Sequence, residues 1–175
     1  DYKATQKSFL FITGLGKALC GLDLLFEVFL RNPNLTLHVC SNFVAEQDFL
    51  EIFQKRIAKS ENIFLDGWVD TGSEKFSEIV QKCSAIIMPV VSGASNDSAL
   101  LGMSHGLIPI LSKDCNIDTE GVGLTLNKVS EQEIEESLNV FTSWDFGKEY
   151  FNDHKDDFEK KWNGNSETLR TFSIS

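Results

Sequence analysis

The sequence predicts an α/β fold: a doubly wound parallel sheet of about six strands with helices on both faces. Three observations carry that expectation. From residue 8 onward, short apolar runs of strand length alternate with amphipathic stretches of helical period. Several runs are apolar at nearly every position, as a parallel strand covered on both faces must be. Strand and helix alternate five times without a repeat, a low-complexity run or a linker, the pattern of an open sheet wound in both directions.

The strand candidates come in order. They are Ser8 to Thr13, Leu35 to Cys40, Asn62 to Leu65, Ala85 to Met88 and Leu107 to Leu111, with Leu124 to Leu126 a weaker sixth. Between the first two, Leu22, Leu25, Phe26 and Phe29 repeat at helical spacing, while Asp23, Glu27 and Arg31 step along the other face. Phe49, Ile52, Phe53 and Ile57 mark a second helix, and Phe76, Ile79 and Val80 a third. A fourth runs from about Asp97 to His105 and stops at Gly106, a usual helix terminator. Ser130-Glu131-Gln132-Glu133 reads as a capping box opening a fifth, with Ile134, Leu138 and Phe141 turned inward. A last helix is expected near 146–162, carrying Tyr150, Phe151, Phe158 and Trp162 among charges, and then a polar tail at 163–175. The whole chain, 1–175, reads as one domain with its core at about 7–143.

Composition narrows the function classes. With 42% hydrophobic and 24% charged residues among 175, the chain is long enough and apolar enough for one continuous core. No window reaches the roughly 18 apolar residues of a membrane span, and the polar start from Asp1 to Lys7 is unlike a signal peptide. A net charge of −10 leaves no basic footprint for nucleic acid. The acidic residues that cluster at Glu131 to Glu136 and Asp153 to Glu159 read as solvated helix faces. Cys20, Cys40, Cys83 and Cys115 include no C-x-x-C pair, and three lie in or beside apolar segments, which fits a reduced, cytoplasmic protein. His38, His105 and His154 make no metal-ligand spacing, so neither a metal nor a bound cofactor is expected.

Two loops could carry chemistry. In a doubly wound sheet, ligands bind outside the carboxyl ends of the strands, where glycines let backbone approach phosphate. The first strand leads there into Gly14-Leu15-Gly16-Lys17-Ala18-Leu19-Cys20-Gly21. This is not the dinucleotide G-x-G-x-x-G, because Leu19 holds the third glycine position, nor a Walker loop, because Leu22-Asp23 follows Gly21. The second strand ends Cys40-Ser41-Asn42, without the acidic residue that grips a ribose in NAD enzymes, which disfavours an NAD-dependent oxidoreductase. A plain structural turn is the other reading of the loop. The fourth strand leads into Pro89-Val90-Val91-Ser92-Gly93-Ala94-Ser95-Asn96-Asp97-Ser98, where free backbone N–H groups at a helix start would face the same crevice. Ser95 or Asn96 can act there as an ordinary N-cap at the same time. Asp97 suits the helix dipole but repels a phosphate.

Taken in order, Gly14-x-Gly16, Gly21 to Glu27, Gly67-Trp68-Val69 and Met103 to Ile110 resemble the nucleotide-sugar-binding, carboxy-terminal half of retaining glycosyltransferases of the GT-B fold, group 1 type. The likeness spans about residues 7 to 143. It implies a Rossmann-like sheet ordered 3-2-1-4-5-6 and a nucleotide-diphosphate sugar as donor substrate. It implies too that Gly14, Leu15, Gly16 and Lys17 lie against the donor diphosphate and that Gly67, Trp68 and Val69 lie near the nucleobase. Ser92, Gly93, Ala94, Ser95, Asn96, Ser98 and Leu101 then fall on the stretch that faces sugar and ribose. An acceptor-binding amino-terminal domain is the implied partner.

The chain departs from that pattern at each charged position. Where the family has the Lys of a Lys-Gly pair, Cys20 precedes Gly21. Counted back from Gly106, the two glutamates of the family's E-x7-E motif fall on Gly93 and Leu101. A neutral thiol cannot offset diphosphate charge, and neither Gly93 nor Leu101 has a side chain that accepts a hydroxyl hydrogen bond. Lys17 could stand in as the cation, although a solvated loop lysine is its more ordinary role. Two functions follow: the donor-binding half of a working sugar transferase, inactive in isolation, or a degenerate domain kept as an interaction or scaffolding module.

Overall fold

The computed structural model describes residues 5–14, 16, 18–91, 97–119 and 123–143. The expected helix near 146–162 and the polar tail lie outside them. The elements in chain order are β1 (Ser8–Thr13), α1 (Leu22–Arg31), β2 (Thr36–Ser41), a 3-10 turn (Phe43–Glu46), α2 (Gln47–Ile57) and β3 (Ile63–Gly67). Then come α3 (Glu74–Gln81), β4 (Ala85–Met88), α4 (Asp97–Ser104), β5 (Ile108–Ser112), a 3-10 turn (Lys113–Cys115), β6 (Leu124–Leu126) and α5 (Glu131–Ser143).

The six strands form one sheet in the order β3-β2-β1-β4-β5-β6, every pair parallel. This is the doubly wound α/β architecture expected, with the chain reversing its winding direction between β1 and β4. β1 is central, and Phe9, Leu10 and Phe11 are fully buried. Phe9 meets Phe29 of α1 edge-on at 5.7 Å and Phe141 of α5 at 5.5 Å between ring centroids. Phe26 reaches Phe53 of α2 at 5.2 Å, so an aromatic series joins α5, β1, α1 and α2. The helix α4 packs over β1, β4 and β5. A Cβ on Gly102 would lie 2.4 Å from Ile86 Cδ1, so a missing side chain is what lets α4 approach β4.

Helix ends follow local chemistry. Ser73 caps α3 by accepting from Phe76 N–H at 3.2 Å. The helix α4 closes with Leu107 N–H donating to Gly102 O and Gly106 N–H to Met103 O, a Schellman arrangement with Gly106 at φ 82°. At α5, Ser130 Oγ accepts from Glu133 N–H, as a capping box requires. The Glu133 carboxylate, however, accepts from Asn127 and Lys128 N–H at 2.6 Å each, so it pins the β6–α5 connection. Ile52 corrects the expected inward face of α2: it is 72% exposed. It lies about 100° around the helix from Phe53 and farther from Ile57, and those two point to the core.

Asn62 fastens the strand order locally. Its buried amide donates to Phe29 O (2.9 Å) and Leu35 O (2.7 Å), tying the end of α1 and the start of β2 to β3. Between β2 and β3 the register shifts at Val39/Cys40, so that Cys40 pairs with Gly67 and Asp66 is the extra residue.

Candidate functional site

A parallel sheet brings every strand's carboxyl end to one edge. Gly14 and Gly16 after β1, Asn42 after β2, Gly67-Trp68 at the end of β3 and Pro89 to Val91 after β4 therefore share an edge. Trp68 is 70% exposed there, while Val69 is buried beside it. β3 and β1 are separated by β2, which sets those two strands about 10 Å apart in the sheet.

The glycine loop is closed by its own backbone. Cys20 N–H donates to Gly16 O and Gly21 N–H to Ala18 O, both at 2.9 Å. Gly21 then opens α1 at φ 75°, without a side-chain cap. Leu19 O accepts from Val91 N–H at 3.0 Å, and a Cβ on Gly21 would sit 2.4 Å from Pro89 O. The loops after β1 and β4 thus touch, and the reversal of winding direction lies between them. Helix α4, with half-buried Ser98 and Leu101, starts beyond the second of these loops. Leu101 packs against the core, and its carbonyl accepts from Ser104 Oγ at 2.8 Å. Leu15, Lys17, Ser92, Gly93, Ala94, Ser95 and Asn96 lie outside the described residues.

Among the described residues, the glycine-loop end of the edge presents more acid than base. Cys20 is buried, and its Sγ lies 3.3 Å from Thr13 Oγ1. An open cleft of about 640 Å³ lies between the glycine loop and the segment after β2, lined by Gly16, Ala18, Leu19, Val44, Glu46, Asp48 and Phe49 among others. Its described lining contains two carboxylates and no lysine or arginine. Gly16 N–H donates to Glu46 Oε1 at 3.0 Å. Asp23 Oδ1 in the first turn of α1, and Ser41 Oγ at the end of β2, are buried without a hydrogen-bond partner.

Sequence reasoning missed Glu46, Asp48, Leu19 and Val44. Their signal was positional, since whatever follows a strand's carboxyl end faces the crevice. It also missed a buried pair at the β2–β3 boundary: His38 Nδ1 lies 3.0 Å from Asp66 Oδ2, with the imidazole stacked on Phe64 at 4.9 Å. Burial, reinforced by the Asp66 charge, pushes the neighbouring Cys40 thiol up to about 12. Cys83 and Cys115 are also pushed up, mainly by burial. Among the described residues no group of three His, Cys, Asp or Glu side chains comes together, and no helix is long and apolar enough to cross a membrane.

No family model and no curated protein sequence matches the chain. Its fold matches solved glycosyltransferases. A glycosyltransferase from Rickettsia africae superposes with a TM-score of 0.73 at 11% identity, over 90% of this chain and 43% of that one. The HepE protein of Anabaena, solved with UDP and glucose, gives 0.69 at 12% identity, over 99% of this chain and 50% of its own. The carboxy-terminal domain of a group 1 glycosyl transferase from Francisella tularensis gives 0.59 at 16% identity, over 81% and 78%. The chain thus has the fold of a GT-B carboxy-terminal half, and it spans half or less of the Rickettsia and Anabaena chains.

Proposed function

We propose that this chain is the donor-binding half of a glycosyltransferase that uses a nucleotide-diphosphate sugar. The observation that carries the reading is the meeting of Gly14, Gly16, Gly67 and Trp68 at the carboxyl edge of a sheet ordered 3-2-1-4-5-6. In this reading the Trp68 ring offers an apolar face to the nucleobase. The backbone around Gly14 and Gly16 approaches the diphosphate, and the residues from 92 to 101 face ribose and sugar. The residues 1–175 act as one domain, working in the cytoplasm with an amino-terminal acceptor-binding domain.

Binding to the isolated chain is weak in this reading. A buried Cys20 brings no cation, the described lining of the cleft beside Gly16 is acidic, and Leu101 accepts nothing from a hydroxyl. Each missing charged partner removes about 1–3 kcal/mol, so dissociation constants of about millimolar are expected. Titration of the chain with UDP, ADP and GDP by calorimetry and by amide NMR tests this. Perturbations confined to Gly14, Gly16 and Trp68 support the reading, and silence to several millimolar with the full-length protein defeats it. The acidic cleft favours one rival, a degenerate domain retained for interaction or scaffolding. That rival predicts that full-length protein transfers no sugar from any nucleotide-diphosphate donor.

A further inference from the structure

Glu46 is placed oddly for a helix N-cap. It precedes α2 at φ −142° and makes no side-chain cap to that helix, although the first N–H groups of a helix lack intrahelical partners. Its carboxylate instead crosses to the glycine loop, 30 residues away in sequence, and accepts Gly16 N–H at 3.0 Å. Gly16 lines the cleft with φ 73°, and on the donor-site reading its N–H is one of the donors that a bound phosphate would use. An internal anion therefore already occupies the donor that an external anion would use.

We infer that Glu46 is a specificity-determining residue that weakens the binding of phosphate at the glycine loop by holding Gly16 N–H itself. The inference rests on the donor-site reading above. Two effects act together. A diphosphate must displace the carboxylate from the N–H, and while the carboxylate stays nearby it repels the incoming charge across the open cleft. Asp48 adds charge to the same cleft but has no bond to the loop among those described, so it separates general electrostatics from occupancy.

The test uses the 175-residue chain and three variants, Glu46→Ala, Glu46→Gln and Asp48→Asn, titrated with inorganic pyrophosphate and with UDP. Glu46 is half-buried on a surface turn, and circular dichroism with urea melts checks that each variant is folded. Glu46→Ala should bind pyrophosphate about tenfold tighter or more, because both the competitor and its charge are gone. Glu46→Gln keeps an acceptor for Gly16 N–H without the charge and should fall between wild type and Ala. Asp48→Asn should change affinity about threefold or less, as a screened surface charge does. The Gly16 amide resonance should move in Glu46→Ala before any ligand is added.

Equal gains from Glu46→Ala and Asp48→Asn would overturn the inference, because charge alone would then account for them. An unchanged Gly16 amide, or unchanged affinity in Glu46→Ala, would overturn it as well while leaving the donor-site reading standing if UDP binds. Tighter pyrophosphate with UDP no better than pyrophosphate would keep the role of Glu46 and defeat the nucleotide reading. No binding by any variant would defeat both.

Discussion

Replacing Gly21 with alanine tests whether the two loops at the sheet edge are locked together. Gly21 holds φ 75°, and a Cβ there would stand 2.4 Å from Pro89 O and 2.8 Å from Pro89 Cγ. The left-handed backbone conformation costs an L-residue about 1–2 kcal/mol. The neighbours are a backbone carbonyl and a proline ring, neither of which can rotate away, so overpacking adds about 1–3 kcal/mol. Alanine returns about 0.4–1 kcal/mol by stiffening the unfolded chain. The net loss is about 1–5 kcal/mol, a large share of the 5–15 kcal/mol of a typical domain. Gly14→Ala is the control, because no described residue lies within 4 Å of its Cβ and its φ is not positive. Urea melts followed by far-ultraviolet circular dichroism give both values. A Gly21→Ala loss below about 1 kcal/mol, or one equal to that of Gly14→Ala, would refute the packing of the β1–α1 turn against the exit of β4.

Cys20→Lys should cost several kcal/mol in the same melts, since the position is buried against Thr13; a negligible loss would mean that the ammonium reaches the cleft. Asn62→Ala should cost about 1–3 kcal/mol by leaving Leu35 O without its donor, and a neutral result would count against the tie between β2 and β3. Cys40 and Cys83 should resist iodoacetamide at pH 8 in native protein and react on unfolding, because burial and neighbouring charge hold both thiols protonated. Glu27 is held below the usual carboxylate range by its hydrogen bond from Arg56. Its small contribution is present above the unfolded pKa and lost on acidification, so the deficit of Glu27→Gln at pH 7 should vanish in acid.

Most of the fold was legible because burial on both faces leaves a mark in every residue of a strand. The apolar runs at Ser8 to Thr13, Ala85 to Met88 and Leu124 to Leu126 became β1, β4 and β6 unchanged, and the other three moved by one or two residues at their ends. Where the strands slipped, a tertiary contact decided. Asn62 reads as the start of a strand, but its amide serves two distant carbonyls and β3 begins after it. β3 also runs on through Asp66 and Gly67, where a bulge and the His38–Asp66 pair extend it. Ile52 fits a helical stripe in sequence, yet only an arc centred on Phe53 and Ile57 finds core to cover.

The site was half legible, and the division has a physical cause. Glycines announce backbone geometry wherever they occur, and Gly14, Gly16 and Gly67 reached one edge because parallel strands compel it. The groups that set the charge of the edge come from pairs far apart in sequence, which no spacing rule exposes. Glu46 meets Gly16 across 30 residues, and Cys20 turns inward to Thr13. Placing a cation at Cys20 would therefore disturb the packing under α1, whereas changing Glu46 removes a bond between a half-buried turn residue and the glycine loop. On the role proposed for Glu46, the folding core and the group that opposes anions are separable. Affinity for diphosphate would then vary with Glu46 without any loss of the sheet that presents the loop, so retention of the fold is by itself no measure of retained transfer chemistry.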